Sequence, residues 1–371
     1  MSTPDRDNRN AAITLALTLP TDTVLYLLLP LHAAEFGVTL AEAGLLLAAN
    51  RLVRIVGYGW VARLYAGRGT RAACLMAVAA SVASSLGYAL APGVVMLLAA
   101  RLAWGLAFAA LNIATQDMAT RLPQGAARRS GTSRAIVAAG PMLCLVAGAL
   151  ATRWVPAPMV FLGLAALAAC ALPFAAGLPA GQGTDALGKG GPRFSLPGRM
   201  DVWGLIQGIT LEGLYVFALA ILAAAAWPEA GALAAGAALA SRYLAEILLG
   251  RPAGALAERF GALRVLIVVS LGSAAALAAI GLGALWLGVA VVVVLRGILQ
   301  PLPPPVIAAA NPGPARVPAL ARQATWRDIG AGLGPLLAGM LLPVVPVPAL
   351  FLGAAGVLAL ASLGLARPSR P

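Results

Sequence analysis

Residues 18–31 read TLPTDTVLYLLLPL, with Asp22 alone in the middle of an apolar run. The nearest charged residues on either side are Arg9 and Glu35. A carboxylate isolated in this way means one thing in water and another in lipid, so the solvent around this run decides the fold. A soluble globular domain carries about 25% charged residues. This chain of 371 residues carries 11%, against 61% hydrophobic residues and a mean hydropathy of +0.90. Long apolar stretches alternate with short charged ones, the pattern of helices that cross a bilayer repeatedly. The residue-by-residue alternation of a membrane β-barrel is absent.

The formal net charge of +13 raises the question of nucleic acid. The basic residues are scattered along the chain and form no patch on a soluble domain, so no nucleic-acid partner is expected. Lys189 is the single lysine among 26 basic residues. Cys74, Cys144 and Cys170 fall in apolar stretches with neither metal-ligand spacing nor a disulfide framework, and read as small packing residues. The polar N-terminus, MSTPDRDNRN, does not resemble a cleaved signal, so the first apolar run is expected to remain as a helix. There is one histidine, His32, no phosphate-cradling loop and no nucleophile–base set. The sequence therefore predicts no enzyme, no metal, no cofactor and no direct ATP drive.

A crossing helix needs about 20 residues. Spans are placed near 12–34, 41–63, 71–91, 94–116, 131–153, 156–177, 201–226, 231–252, 263–283, 285–308, 325–343 and 347–366, twelve in all. Loop charge supports this count. With the N-terminus inside, the cytoplasmic connections hold Arg63, Arg68, Arg71, Arg121, Arg128, Arg129, Lys189, Arg193, Arg199, Arg251, Arg259, Arg264, Arg316 and Arg322, and the tail adds Arg367 and Arg370. The opposite loops contribute only Arg153. Positive charge is retained on the cytoplasmic side, so both termini are expected there. Residues 178–198, LPAGQGTDALGKGGPRFSLPG, lack apolar periodicity and read as a flexible linker. The expected organisation is a bundle over 1–177, a cytoplasmic linker over 178–200 and a second bundle over 201–371.

The two halves repeat each other. Asp22 aligns with Glu212, Arg51 with Arg242, Gly59 with Gly254, Arg101 with Arg296, and Gly140-Pro141 with Gly334-Pro335. Duplicated bundles of this kind are characteristic of secondary transporters, whose site lies near the bilayer midplane between the repeats.

AGALAERFGALR (253–264) places Gly254, Glu258, Arg259, Gly261 and Arg264 in a pattern that resembles the loop signature of the major facilitator superfamily. The first-half copy, GWVARLYAGRGTR, keeps Gly59 but has Arg63 where the acid is expected. LAARLAWGLAFAA, with Arg101 and Gly105, resembles the superfamily's span-4 signature. AAGPMLCLVAG resembles the Gly-Pro signature of its drug/proton antiporters, with the later glycine displaced to Gly148. The resemblance covers essentially the whole chain. It implies twelve helices in two pseudo-symmetric six-helix bundles, an all-α membrane protein with the major facilitator fold. It also implies that the acid of span 1 lies close to Arg101. For the degraded loop it implies a charge swap, Arg63 with Asp328 or with Asp117, latching the outward-open state.

A charge at the bilayer centre costs about 2.5–3.5 kcal/mol on insertion scales, so such a group faces a cavity, pairs or exchanges a proton. Asp22 and Glu212 are the candidate proton-coupling carboxylates, each with the alternative of a bridge to a neighbouring helix. Arg51 and Arg54 share a helix face beside Asn50, and an arginine at that depth suits a carboxylate or phosphate. Arg242 and Glu246, four apart, read either as an internal pair or as substrate groups. Tyr26, Asn112 and the Leu214-Tyr215 step complete the substrate-binding candidates with Asn50, Arg51, Arg101, Arg242 and Glu246. Cations at 51, 54, 101, 242 and 296 outnumber acids at 22, 212 and 246, which favours anionic or zwitterionic substrates. Gating candidates are Gly59, Arg63, Asp117, Gly140, Pro141, Gly254, Glu258, Arg259, Asp328, Gly334 and Pro335. The two Gly-Pro steps are expected to kink their helices. LQPLPPPVIAAANPGP (299–314) should break the end of span 10.

The functional expectation is a monomeric, multi-pass transporter of a bacterial inner membrane, exporting a small amphiphilic molecule in exchange for protons. A carrier for an organic anion or zwitterion, such as a metallophore or metabolite, is the alternative. A transport-inactive membrane sensor on the same fold is the third.

Overall fold

The structure is a computed structural model that describes residues 3–91, 93–180, 197–227, 231–341 and 344–366. Most of the expected linker, with Lys189 and Arg193, and the tail arginines Arg367 and Arg370 lie outside the described residues. All regular structure among the described residues is helical. Nine helical runs among them are long and apolar enough to cross a membrane. Val56, Val95, Val268, Leu287 and Leu360 stand exposed on helix surfaces. In water such an apolar exterior would be an aggregation liability, whereas against lipid chains it carries no penalty.

The chain divides into two compact units. The first comprises Met1–Leu122, Ile136–Arg193 and Asn311–Ala321. The second comprises Pro123–Ala135, Phe194–Ala310 and Arg322–Pro371.

In the first unit the opening run is two helices, α1 (Thr3–Thr18) and α2 (Pro20–Leu31). Pro20 causes the interruption, because it has no N–H to donate four residues back to the Ala16 carbonyl. Asp22 therefore occupies the first turn of α2, where the helix dipole favours a negative charge. Helix α3 (Leu40–Leu90) is broken at Gly69, whose φ of 77° and ψ of 170° leave the helical region. That break falls between the second and third expected spans. Helices α4 (Val94–Thr120), α5 (Ala126–Ala151, of which the residues up to Ala135 belong to the second unit), α6 (Val160–Ala169) and α7 (Leu172–Ala176) follow. Leu25, Leu28, Phe36, Tyr88 and Phe161 are buried together in this unit, with Phe161 edge-on to Phe36 and Tyr88.

In the second unit, α8 (Arg199–Gln207) runs through a π-helical turn, Gly208–Leu214, into α9 (Tyr215–Ala226). Helices α10 (Gly231–Phe260), α11 (Ala262–Gly281), α12 (Leu285–Leu299), α13 (Pro303–Ala310), α14 (Arg316–Leu341) and α15 (Val347–Ala366) complete the chain. The expected break in span 10 occurs at residues 300–302, between α12 and α13. The last expected span and α15 share their bounds, but α14 starts at Arg316 rather than at 325.

The Gly-Pro steps lie inside single continuous helices, α5 and α14. Their glycines allow backbones to approach. A Cβ on Gly140 would collide with the Ala16 carbonyl, the one that Pro20 leaves without its helical donor. A Cβ on Gly334 would collide with Gly213 and with the Ile209 carbonyl of the π turn. In each unit, then, the glycine of a Gly-Pro step presses against an irregular stretch of the helix that carries the buried acid.

Candidate functional site

The first unit assembles its site from α2, α3 and α4. Arg101 on α4 is fully buried, and its Nη1 lies 2.5 Å from Asp22 Oδ1. Asn50 Nδ2 donates to the same oxygen at 2.8 Å. The remaining guanidinium donors are aimed at carbonyls of α3, with Nε at 3.0 Å from Leu46 O and Nη2 at 3.3 Å from Leu47 O. The Tyr26 ring lies 5.2 Å from the Arg101 guanidinium, and the Tyr26 hydroxyl donates to Leu47 O at 2.9 Å. Arg54 Nε donates to Asn50 O, and its guanidinium stacks 4.6 Å from Phe108. Each guanidinium nitrogen of Arg101 thus has an acceptor, which helps to hold a cation in an apolar bundle. Asn50 Oδ1 and Asn112 Nδ2 are among the side-chain atoms of α3 and α4 buried without a hydrogen-bond partner.

The second unit repeats the arrangement with more charge. Arg296 on α12 grips two carboxylates, Nη2 to Glu212 Oε2 at 2.6 Å and Nη1 to Glu246 Oε1 at 2.8 Å. Arg134 Nε lies 2.8 Å from the other Glu246 oxygen. Glu212 Oε1 accepts from Gln300 Nε2 and, at 3.2 Å, from Gln207 Nε2. The Gln207 contact spans five residues. On an α-helix such residues point about 140° apart. In the wider π turn they come near the same side, so the local geometry delivers Gln207 to Glu212. Tyr215 donates from its hydroxyl to Val289 O at 3.2 Å. The anticipated internal pair of Arg242 with Glu246 does not form; Glu246 pairs instead with Arg296, and Arg134 stands beside its other oxygen.

Of the two pairings expected for Arg63, the one with Asp117 does not form among the described residues. Arg63 is exposed. Asp117 meets Arg316 Nη2 at 2.6 Å, Arg121 Nη2 at 3.2 Å and the Tyr65 hydroxyl at 2.8 Å. Thr70 in turn donates to Tyr65. Arg316 reaches Asp117 because α14 begins there and Asn311–Ala321 packs in the first unit. Asp328 lies 3.2 Å from Arg327. The intact loop signature behaves differently from its degraded copy. Glu258 Oε1 accepts the Arg128 N–H in the first turn of α5, and Gly254 packs on the Ala127 carbonyl so tightly that a Cβ would collide. Arg259 stacks on Phe260, and Gly261 takes a positive φ of 89° before α11. Around Gly59, by contrast, there is open space.

Sequence reasoning aligned Asp22 with Glu212 and Arg101 with Arg296, and the structure joins both pairs. It missed Arg134, Gln207, Gln300, Tyr65 and Arg316. Only Gln207 had a local signal, five residues from Glu212, and that spacing is silent unless the π turn is known.

No family model and no curated protein matches the sequence. Solved structures do match it in three dimensions. The chain superimposes on the human organic anion transporter MFSD10 (TETRAN) with a TM-score of 0.80 at 16% identity, covering 98% of this chain and 100% of that one. It superimposes on a bacterial homologue of the iron transporter ferroportin with a TM-score of 0.75 at 10% identity, over 97% and 98% of the two chains. The E. coli fucose:proton symporter FucP gives a TM-score of 0.74 at 13% identity, over 98% of each chain. The chain has the major facilitator fold. It is a multi-pass, all-helical membrane protein, and the drug/proton branch of the superfamily is not singled out among these neighbours.

Proposed function

We propose that the protein is a secondary active transporter that works by alternating access, with Asp22 and Glu212 as its proton-coupling carboxylates. The reading rests on one observation: each repeat holds a buried carboxylate against a buried arginine at equivalent positions, 2.5 Å apart in one and 2.6 Å in the other. A paired carboxylate in an apolar bundle carries its charge. Once its arginine is drawn elsewhere, it is more stable holding a proton. Substrate arrival and proton uptake are thereby linked at one guanidinium. Export of a small amphiphilic molecule against incoming protons, through twelve spans in a bacterial inner membrane, is the form of this reading that the sequence favours.

A second reading concerns the substrate alone. Guanidiniums outnumber carboxylates in the second unit's site, which suits an organic anion or zwitterion better than a lipophilic cation. The neighbour MFSD10 is an organic anion transporter, which agrees with this choice.

Proton movement in inverted membrane vesicles tests the proposal. A pH-sensitive dye follows a preset gradient as lipophilic cations, organic anions and zwitterions are added in turn. Collapse of the gradient on addition of one class is the expected result. Silence toward all three classes would move a non-coupled carrier or a sensor to the front.

A further inference from the structure

The second unit's site contains one cation too many. Arg134, Arg242 and Arg296 face Glu212 and Glu246, three guanidiniums against two carboxylates. Arg327 stands nearby but has its own acid, Asp328. Arg296 bonds one Glu246 oxygen and Arg134 stands 2.8 Å from the other without a hydrogen bond, while Arg296 and the two glutamines take those of Glu212. That leaves Arg242 as the guanidinium in surplus. Among the described residues it forms no close ion pair, although Glu212 and Glu246 both lie within its electrostatic reach, and its Nε is buried without an acceptor. Its guanidinium lies over the face of Tyr243, 5.7 Å from the ring centre. A ring quadrupole can steady a cation but cannot neutralise it. Arg242 stands in the repulsive field of Arg296, set against the attraction of Glu212 and Glu246, which Arg296 already engages.

A cation in surplus over the carboxylates around it is expensive, and such a group in a membrane bundle is retained where a ligand supplies the missing charge. The surplus is a single unit, and guanidinium geometry matches a two-oxygen acceptor. We propose that Arg242 is the receptor for the anionic group of the substrate, a monoanion with a carboxylate-type head, seated between Arg242 and Arg296. This rests on the transporter reading for what happens next, but not for binding itself. On arrival the head group competes with Glu212 for Arg296 and leaves the site neutral. Tyr243 and the apolar residues of α10 would face the rest of the molecule.

The test is binding at equilibrium, with the full chain in nanodiscs of phosphatidylcholine alone, so that no anionic lipid competes. Thermal unfolding is followed against benzoate, methanesulfonate, chloride and tetraphenylphosphonium. Wild type should show a saturable rise in Tm with benzoate and none with tetraphenylphosphonium. Arg242→Gln should bind benzoate about 10–100-fold more weakly. Arg242→Lys, which keeps the charge without the fork, should fall between. Unliganded Arg242→Gln should be at least as stable as wild type, because it removes a charge that had no partner. Equal benzoate affinity in Arg242→Gln, stabilisation by the cation, or no response of wild type to benzoate would overturn the assignment. Chloride acting as well as benzoate would overturn the carboxylate-type head. A clear loss of unliganded stability in Arg242→Gln would show that the cation already had a counter-charge, and would overturn it as well. Benzoate binding without any proton flux would leave this site standing and remove the transport reading instead.

Discussion

Glu212 and Arg296 meet at 2.6 Å in the second unit, 84 residues apart in sequence, and they are the repeat counterparts of Asp22 and Arg101. The same acid–base contact has been kept in both copies although the acid differs by one methylene. In the second copy Arg296 holds a further acid, Glu246, and Arg134 balances it. The pairs are therefore equivalent in position and unequal in charge, which is what a protein needs if one site couples protons and the other also receives a ligand.

The first pair should reveal itself through stability. Arg101→Ala leaves the Asp22 carboxylate buried without its counter-charge, at a cost of about 3–5 kcal/mol. Asp22→Asn combined with Arg101→Ala should recover part of this loss. Thermal unfolding in nanodiscs reads the difference. A double variant no more stable than Arg101→Ala would mean that the two side chains are not energetically coupled.

Close backbone approach makes two glycines intolerant and a third indifferent. Gly140→Ala and Gly334→Ala place a Cβ against backbone atoms and should each lose about 1–3 kcal/mol. Gly59→Ala, pointing into open space, should stay within about 0.5 kcal/mol of wild type. Melting temperatures of the three variants decide the matter. Equal loss at Gly59 would contradict the packing described here.

Asp117 pairs with Arg316 rather than with Arg63. Asp117→Arg should abolish solute-driven flux, and Arg316→Asp added to it should restore a measurable part. Arg63→Gln should leave flux unchanged. The account of this cluster fails if Arg63→Gln is inactive while the Asp117/Arg316 swap has no restoring effect.

Outside the membrane segments, Glu35 closes the loop after α2. Its carboxylate accepts the Ala157 N–H at 2.7 Å and contacts His32 Nδ1 at 2.7 Å. The backbone N–H first, and then His32, hold its carboxyl below the ordinary value of 4.5. A lowered folded value means the contact contributes fully above pH 4.5 and is lost as pH falls through the lower value. Unfolding measured from neutral to acidic pH should decline in wild type, and Glu35→Gln should flatten the acid limb. Superimposable profiles would rule out this contribution. The carboxylate is well exposed, so the effect is expected to be small.

Much of the architecture was legible in the sequence because bilayer crossing imposes length and loop charge imposes side. The α15 bounds, the break near Pro303 and the Gly69 break follow from apolar run length, proline and glycine alone. The alignment of Asp22 with Glu212 and of Arg101 with Arg296 was legible because duplication preserves spacing. Arg316 was not. It reads as a positive loop charge, and its partner Asp117 lies 199 residues away with no periodicity to connect them. Arg134 was passed over because α5 begins at Ala126, before the expected start at 131, which sets that residue two turns inside a helix. The π turn carries no sequence mark, so the Gln207–Glu212 contact could be found only in three dimensions. The excess of deep cations was legible as a count. Which arginine lacks a partner was not, since that depends on how two carboxylates are shared among three guanidiniums.

The measurement that bears most directly on coupling is solute-driven proton movement in proteoliposomes bearing wild type, Asp22→Asn or Glu212→Gln. A pH-sensitive dye is trapped inside, and an organic anion to which wild type responds is added outside. Wild type should move protons with the solute. Each variant should lose proton movement, and at least one should still exchange labelled for unlabelled solute. Proton movement at the wild-type rate in both variants would contradict the assignment of Asp22 and Glu212 as the coupling carboxylates.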